Sequence, residues 1–217
     1  MNTLPATDLR SNIGTWSVTD WQLPALTKQM LDVLQPEGYD PSFAGQYLAT
    51  TYFDTRDFAL RKARVKGKKY ITIRIRCYSP TRTAGSQYSE PVYAISAKTE
   101  SKKVRNQIDT DIAEALLGMT GVDATNLSGL LPADVIARIA EISQGDPLVP
   151  VVTLCFHRFA VEDDRHRLTL DVDIHSDTGR RYPCHVLEQK STSREATPLI
   201  GLPLRPIKLS KFLWSTS

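Results

Sequence analysis

Strand-like segments that carry charge along one face constrain this chain most. In Thr72-Ile73-Arg74-Ile75-Arg76-Cys77-Tyr78, Arg74 and Arg76 alternate with Ile73, Ile75 and Cys77. Arg167-Leu168-Thr169-Leu170-Asp171-Val172-Asp173-Ile174 sets Arg167, Asp171 and Asp173 against four aliphatic residues. Val186-Leu187-Glu188-Gln189-Lys190 adds Glu188 and Lys190 on a shared face. Strand side chains alternate with period two, so each charged set points one way. A single half-buried strand with its polar side in water explains any one of these segments. Several arginine-bearing strands together favour an inward-rolled sheet whose charged face encloses a polyanion.

The rest of the composition narrows the partners. With 217 residues and 41% hydrophobic content, the chain has the length for one large core. Its formal net charge is +3, from 27 basic and 24 acidic residues. That excludes a whole-protein basic field for nucleic acid, so an anion site must come from local clustering. Cys77, Cys155 and Cys184 form no Cys-x-x-Cys pair, and an odd count points to reduced thiols. No signal-type apolar segment and no apolar run of membrane-spanning length is present. The expectation is a soluble, cytoplasmic protein that leaves a membrane-protein partner open. The sequence does not specify an oligomeric state.

Along the chain, residues 1–9 read as a loose N-terminus. The 3.6-residue period of Leu23, Leu26, Met30, Leu31 and Leu34 predicts a helix over Thr19 to Leu34. Strands are expected at Gln46 to Asp54, Tyr70 to Tyr78 and Pro91 to Thr99. The basic run Arg61 to Lys69 reads as an exposed turn. Helices follow at Asp109 to Leu117 and Pro132 to Ile142, and then strands at Val149 to Val161, Arg167 to His175 and Tyr182 to Lys190. A tail from Pro198 to Trp214 closes the chain. This order predicts a single α+β domain over 1–217, with an antiparallel sheet closing into a barrel or tunnel and helices packed outside.

An ordered set of motifs carries a resemblance. Tyr52-Phe53-Asp54-Thr55, Arg74-x-Arg76, Lys98, Lys103-x-Arg105, Phe156-x-Arg158, Arg167-x-Thr169-x-Asp171, Glu188-x-Lys190 and Ser210-Lys211-Phe212 occur in sequence. From Arg10 to Phe212 the chain resembles the VTC domain, the polyphosphate polymerase branch of the CYTH-related triphosphate tunnel metalloenzymes. The resemblance implies an eight-stranded antiparallel barrel. It implies phosphate contacts, and a catalytic role in neutralising charge, for Arg74, Arg76, Lys98, Arg158, Arg167 and Lys190. Lys211 joins them as a phosphate ligand, and Lys103 and Arg105 as further candidates. Glu188 would hold a divalent metal, Mn or Mg, with Asp171 as a second candidate.

Those residue types suit the chemistry. Phosphoryl transfer needs positioning and charge neutralisation more than covalent help. Arginine clasps two phosphate oxygens with its planar fork, and lysine offers a point charge. The implied leading function is metal-dependent polyphosphate synthesis by γ-phosphate transfer from ATP. Triphosphate hydrolysis and non-catalytic polyphosphate or nucleotide binding are the alternatives. The sequence departs from the family pattern at three places: Asn12 and Ser96 stand where acids are expected, and Gly14 where a lysine is expected.

Overall fold

A computed structural model describes residues 11–33, 46–67, 69–80, 91–162, 165–192, 203–208 and 210–216. The expected loose terminus at 1–9 lies outside the described residues. Eight long strands form the frame: β1 (Ser11–Val18), β2 (Gln46–Asp54), β3 (Ile71–Pro80), β4 (Val92–Thr99), β5 (Lys103–Ile108), β6 (Val149–Glu162), β7 (His166–Ser176) and β8 (His185–Ser191). A two-residue β9 (Arg205–Pro206) completes a nine-stranded sheet in the order β5-β4-β3-β2-β6-β7-β8-β1-β9. Every pairing is antiparallel. The sheet is therefore curled and tunnel-like, with β5 and β9 at its edges instead of joined into a closed barrel.

Two apolar clusters cover the outer face. α1 (Leu23–Val33) lays Leu26 and Met30 against Val161, Leu168, Leu170 and Leu187. α2 (Ala59–Val65), α3 (Thr110–Gly118), α4 (Ala124–Leu127) and α5 (Ala133–Ser143) pack Leu60, Leu116, Leu127 and Ile139 onto Phe53, Ile73, Ile75 and Ile95. These sheet residues are the apolar alternates of the charged positions, which frees the opposite face for chemistry.

α6 (Lys211–Ser215) behaves differently, because it enters the concave side. Phe212 and Trp214 join Leu48, Tyr52, Val152, Leu154, Phe156 and Val186 in a third cluster. Phe212 lies 4.9 Å from the Tyr52 ring, and Trp214 lies 4.9 Å edge-on to Tyr182. The helices are therefore outside the sheet with this one exception.

Two segments differ from expectation. α2 runs into the basic stretch as far as Val65, so that stretch is not a turn throughout. Asp54, wholly buried, accepts the backbone N–H groups of Thr55, Leu60 and Arg61 at 2.8–2.9 Å, which orders the start of that helix. Lys103 to Ile108, where the sequence predicts no element, is an edge strand. No helix among the described residues is long and apolar enough to cross a membrane.

Candidate functional site

Residues directly opposite in adjacent strands share a face, so the pairing register locates the charged side chains. Lys103 faces Lys98, which faces Thr72. Arg105 faces Ser96, then Arg74, then Tyr52. Arg76 faces Thr50. On the other half, Arg158 faces Asp171, Thr169 faces Glu188, and Arg167 faces Lys190. With α6 supplying Lys211, all eleven candidate residues lie on the concave side.

Curvature then brings the two halves together. β4 and β8 are five steps apart in the sheet. In a flat sheet, five steps at roughly 4.8 Å would separate them by about 24 Å. Yet Lys98 of β4 feels both Glu188 and Lys190 of β8, and Lys103 of β5 feels Lys190. The faces must be turned toward each other for those charges to act.

At the deep end, Asp171 is 2% exposed. Arg158 clasps it through two bonds, Nε to Oδ1 at 2.6 Å and Nη2 to Oδ2 at 2.8 Å, and Lys211 donates to Oδ2. Burial alone would raise the Asp171 pKa, but Arg158 and Lys211 outweigh it and hold the carboxyl below the usual range. The two cations fare differently. For Arg158, attraction to Asp171 overcomes burial and the pKa rises. For Lys211, burial and repulsion from Arg158 win and the pKa falls. One buried carboxylate serves two half-buried cations, and Arg158 alone grips both of its oxygens. Phe156 lies beneath them, its ring centroid 5.5 Å from Arg158, 4.7 Å from Lys211 and 5.8 Å from Arg76.

The remaining cations are crowded. Arg76 donates from Nε to Thr50 Oγ1 at 2.9 Å, and Arg74 from Nε to Ser96 Oγ at 3.0 Å. Burial, followed by Arg74, lowers the Arg76 pKa to about 10. Lys103 is exposed by surface area, yet burial of its ammonium, followed by Arg74 and Lys190, lowers it to about 7. Solvent at that exposed position screens those neighbours. Tyr78 shows the same field from the acid side: burial raises its pKa, but Arg76, Arg105 and Arg74 prevail and bring it to about 8. The face is set up for negative charge.

The sequence reading missed one contributor. Arg64 of α2 donates from Nη1 to Thr72 Oγ1 at 2.6 Å and, after burial, is the largest influence depressing Lys98. It was hidden within the basic run, and only the buried Leu60 just before that run marked a helix face.

The first strand corrects the placement of Gly14. A register shift between Asn12 and Gly14 leaves Asn12 opposite Lys190 and Thr15 opposite Glu188. Gly14 pairs with Gln189 on the outer face, where a Cβ would meet the Trp16 ring at 2.4 Å. That position cannot present a lysine to the concave side.

A divalent cation needs several hard oxygen donors. Here Glu188 is joined by the Asn12 amide, whose Nδ2 approaches Glu188 Oε1 at 3.4 Å. Both Asp171 oxygens already accept protein cations. No group of three or more His, Cys, Asp or Glu among the described residues is disposed to hold a metal. The described residues do not fit a resident divalent-metal site.

Comparison with known proteins follows the same lines. A candidate adenylate cyclase from Bacillus halodurans is 19% identical, with 83% of this chain and 79% of that chain covered at a TM-score of 0.51. A candidate adenylyl cyclase from Hippeastrum, HpAC1, described as having a dominant triphosphatase activity, is 15% identical. It covers 95% of this chain and 96% of its own, with a TM-score of 0.55. These likenesses show the tunnel fold. A search of curated proteins finds no match. The VTC domain family matches residues 16–201. That span covers most of the chain and both halves of the concave face, and the protein belongs to the VTC domain family.

Proposed function

We propose that the concave face binds linear phosphate chains, triphosphate or polyphosphate. The observation that carries this is the convergence of Arg74, Arg76, Lys98, Lys103, Arg105 and Lys190 on one curled surface, with Glu188 as the acid among them. Crowding like charges on one face is costly unless an anion completes the site. Family membership supports the same ligand class. Transfer of the γ-phosphate of ATP to a growing chain is the enzymatic form of this reading. The sparse donor set around Glu188 favours binding with slow turnover or none.

Calorimetry with tripolyphosphate tests the binding. Arg74→Ala and Arg76→Ala should each weaken it by about 1.5–3 kcal/mol, the range for hydrogen bonds to charged groups. Parent-like affinity in both variants would remove these arginines from the site. Incubation with ATP and Mn²⁺ or Mg²⁺ then separates the enzymatic outcomes: chain growth marks a polymerase, released orthophosphate a hydrolase, and neither a binding module.

A further inference from the structure

We propose that Lys103 is a carbon dioxide site: its side-chain amine takes up CO₂ as a carbamate, which turns one cation of the concave face into an anion. The chemistry stands on the arrangement of charge around β5. Its effect on phosphate chains rests on the phosphate-binding reading.

The geometry comes from the edge of the sheet. β5 pairs with β4, and Lys103 lies directly opposite Lys98. Like charges in that relation destabilise a sheet. Arg105 follows two positions along the same face of β5, and β3 adds Arg74 and Arg76. Lys190 of β8 acts from across the concave side. Lys98 sits between Arg64 of α2, which depresses its pKa, and Glu188 of β8, which offsets part of that effect. Lys103 has no such relief. After burial, its strongest influences are Arg74, Lys190, Arg76 and Arg105, all cations, and they bring its pKa to about 7. Asp134 of α5 is taken by the neighbouring Lys102. The Lys103 side chain is also exposed, so a small dissolved molecule reaches it.

A lysine held among other cations gives up its proton and becomes a nucleophile. The ammonium first releases one proton to solvent. The nitrogen lone pair then attacks the carbon of CO₂, an N–C bond forms, and one C=O π pair moves onto oxygen. A second N–H proton leaves to solvent, so ammonium and CO₂ give carbamate and two protons. The charge around Lys103 selects this electrophile. A neutral acyl product would gain nothing from the surrounding cations, whereas a carbamate places negative oxygens among Arg74, Lys98, Arg105 and Lys190. The field that expels the proton therefore holds the product. Carbamate forms as pH rises through the Lys103 pKa and is lost on acidification. A carbamate there also opposes a phosphate chain on the same face.

The test equilibrates the full chain with isotope-labelled bicarbonate and CO₂ at slightly alkaline pH and follows the carbamate carbon by NMR. The comparison is Lys103→Arg, which keeps the positive charge but cannot lose its proton. The expected result is a carbamate resonance in the parent that is absent from Lys103→Arg, while any signal from the chain's α-amine persists in both. Lys98→Arg should keep the Lys103 signal, which guards against loss through a damaged fold. Spectra with no resonance beyond the α-amine, or with the same resonance in Lys103→Arg, overturn the proposal. Calorimetry with tripolyphosphate, at ionic strength matched with chloride, reads the consequence. CO₂ should weaken binding to the parent at least threefold and leave Lys103→Arg unchanged. Equal weakening of both would assign the effect to bicarbonate as a competing ion and overturn the proposed antagonism. A Lys103 carbamate in a protein that binds no tripolyphosphate would keep the CO₂ site and overturn the phosphate-binding reading.

Discussion

Asp171 shows how one residue sets the state of several. Its carboxylate is the shared partner of Arg158 and Lys211, both on the concave side. Removing one partner of a buried charge cluster leaves the others uncompensated, at a cost of about 3–5 kcal/mol. Asp171→Asn should lose stability in that range in urea unfolding. The pH dependence follows from its lowered pKa. A carboxyl depressed in the folded state stabilises above its unfolded value, and that contribution is lost as pH falls through the folded value. Acid unfolding of the parent should therefore show a loss of stability below the ordinary carboxylate range that Asp171→Asn lacks. Lys103 has the opposite relation to its surroundings. Burial and neighbouring cations lower its pKa to about 7, and a bound polyanion reverses that field. The ε-carbon NMR resonance of Lys103 should titrate below the normal lysine range in the free protein and move up when tripolyphosphate binds. A normal lysine titration in both states would refute the crowding of cations.

At the scale of elements, α6 connects packing to the shape of the site. Trp214 is 9% exposed and packs on Tyr182, so Trp214→Ala should cost about 3–5 kcal/mol in denaturant unfolding. A loss under 1 kcal/mol would mean that α6 is loosely seated. α6 was not legible in the sequence because it spans five residues, too few for a helical period to show. The same limit hid α2, whose start depends on Asp54 reaching forward to Leu60 and Arg61, a contact that composition cannot reveal. β5 was hidden by chemistry: its concave positions are Lys103, Arg105 and Gln107, so the strand reads as a solvated run. β3 was legible because Ile73, Ile75 and Cys77 alternate cleanly with Thr72, Arg74 and Arg76. Of the candidate site, the two arginines of β3 and the Glu188–Lys190 pair could be read from alternation. The fate of Gly14 could not, since a single register shift on β1 decides which face it occupies.

At the scale of the whole molecule, a net charge of +3 gives little long-range attraction. The anion-binding field arises because curvature folds β4 and β5 toward β8, concentrating charge that the sequence spreads over more than eighty residues. Within that field Glu188 is a discordant charge. With a resident metal it would be a ligand, and its loss would weaken anion binding. With the donor set found here, it repels phosphate instead. At roughly 8–15 Å and an effective dielectric of about 20, one such repulsion is worth about 1–2 kcal/mol. Glu188→Gln should therefore tighten tripolyphosphate binding in metal-free buffer by up to that amount, and the gain should shrink as salt rises. Calorimetry with chelator and then with excess Mn²⁺ distinguishes the two roles. Tighter binding in chelator identifies Glu188 as an uncompensated acid. Weaker binding of the variant in chelator would give Glu188 a positive role in holding the chain, and weaker binding only with Mn²⁺ would make it the anchor of a metal that arrives with the substrate.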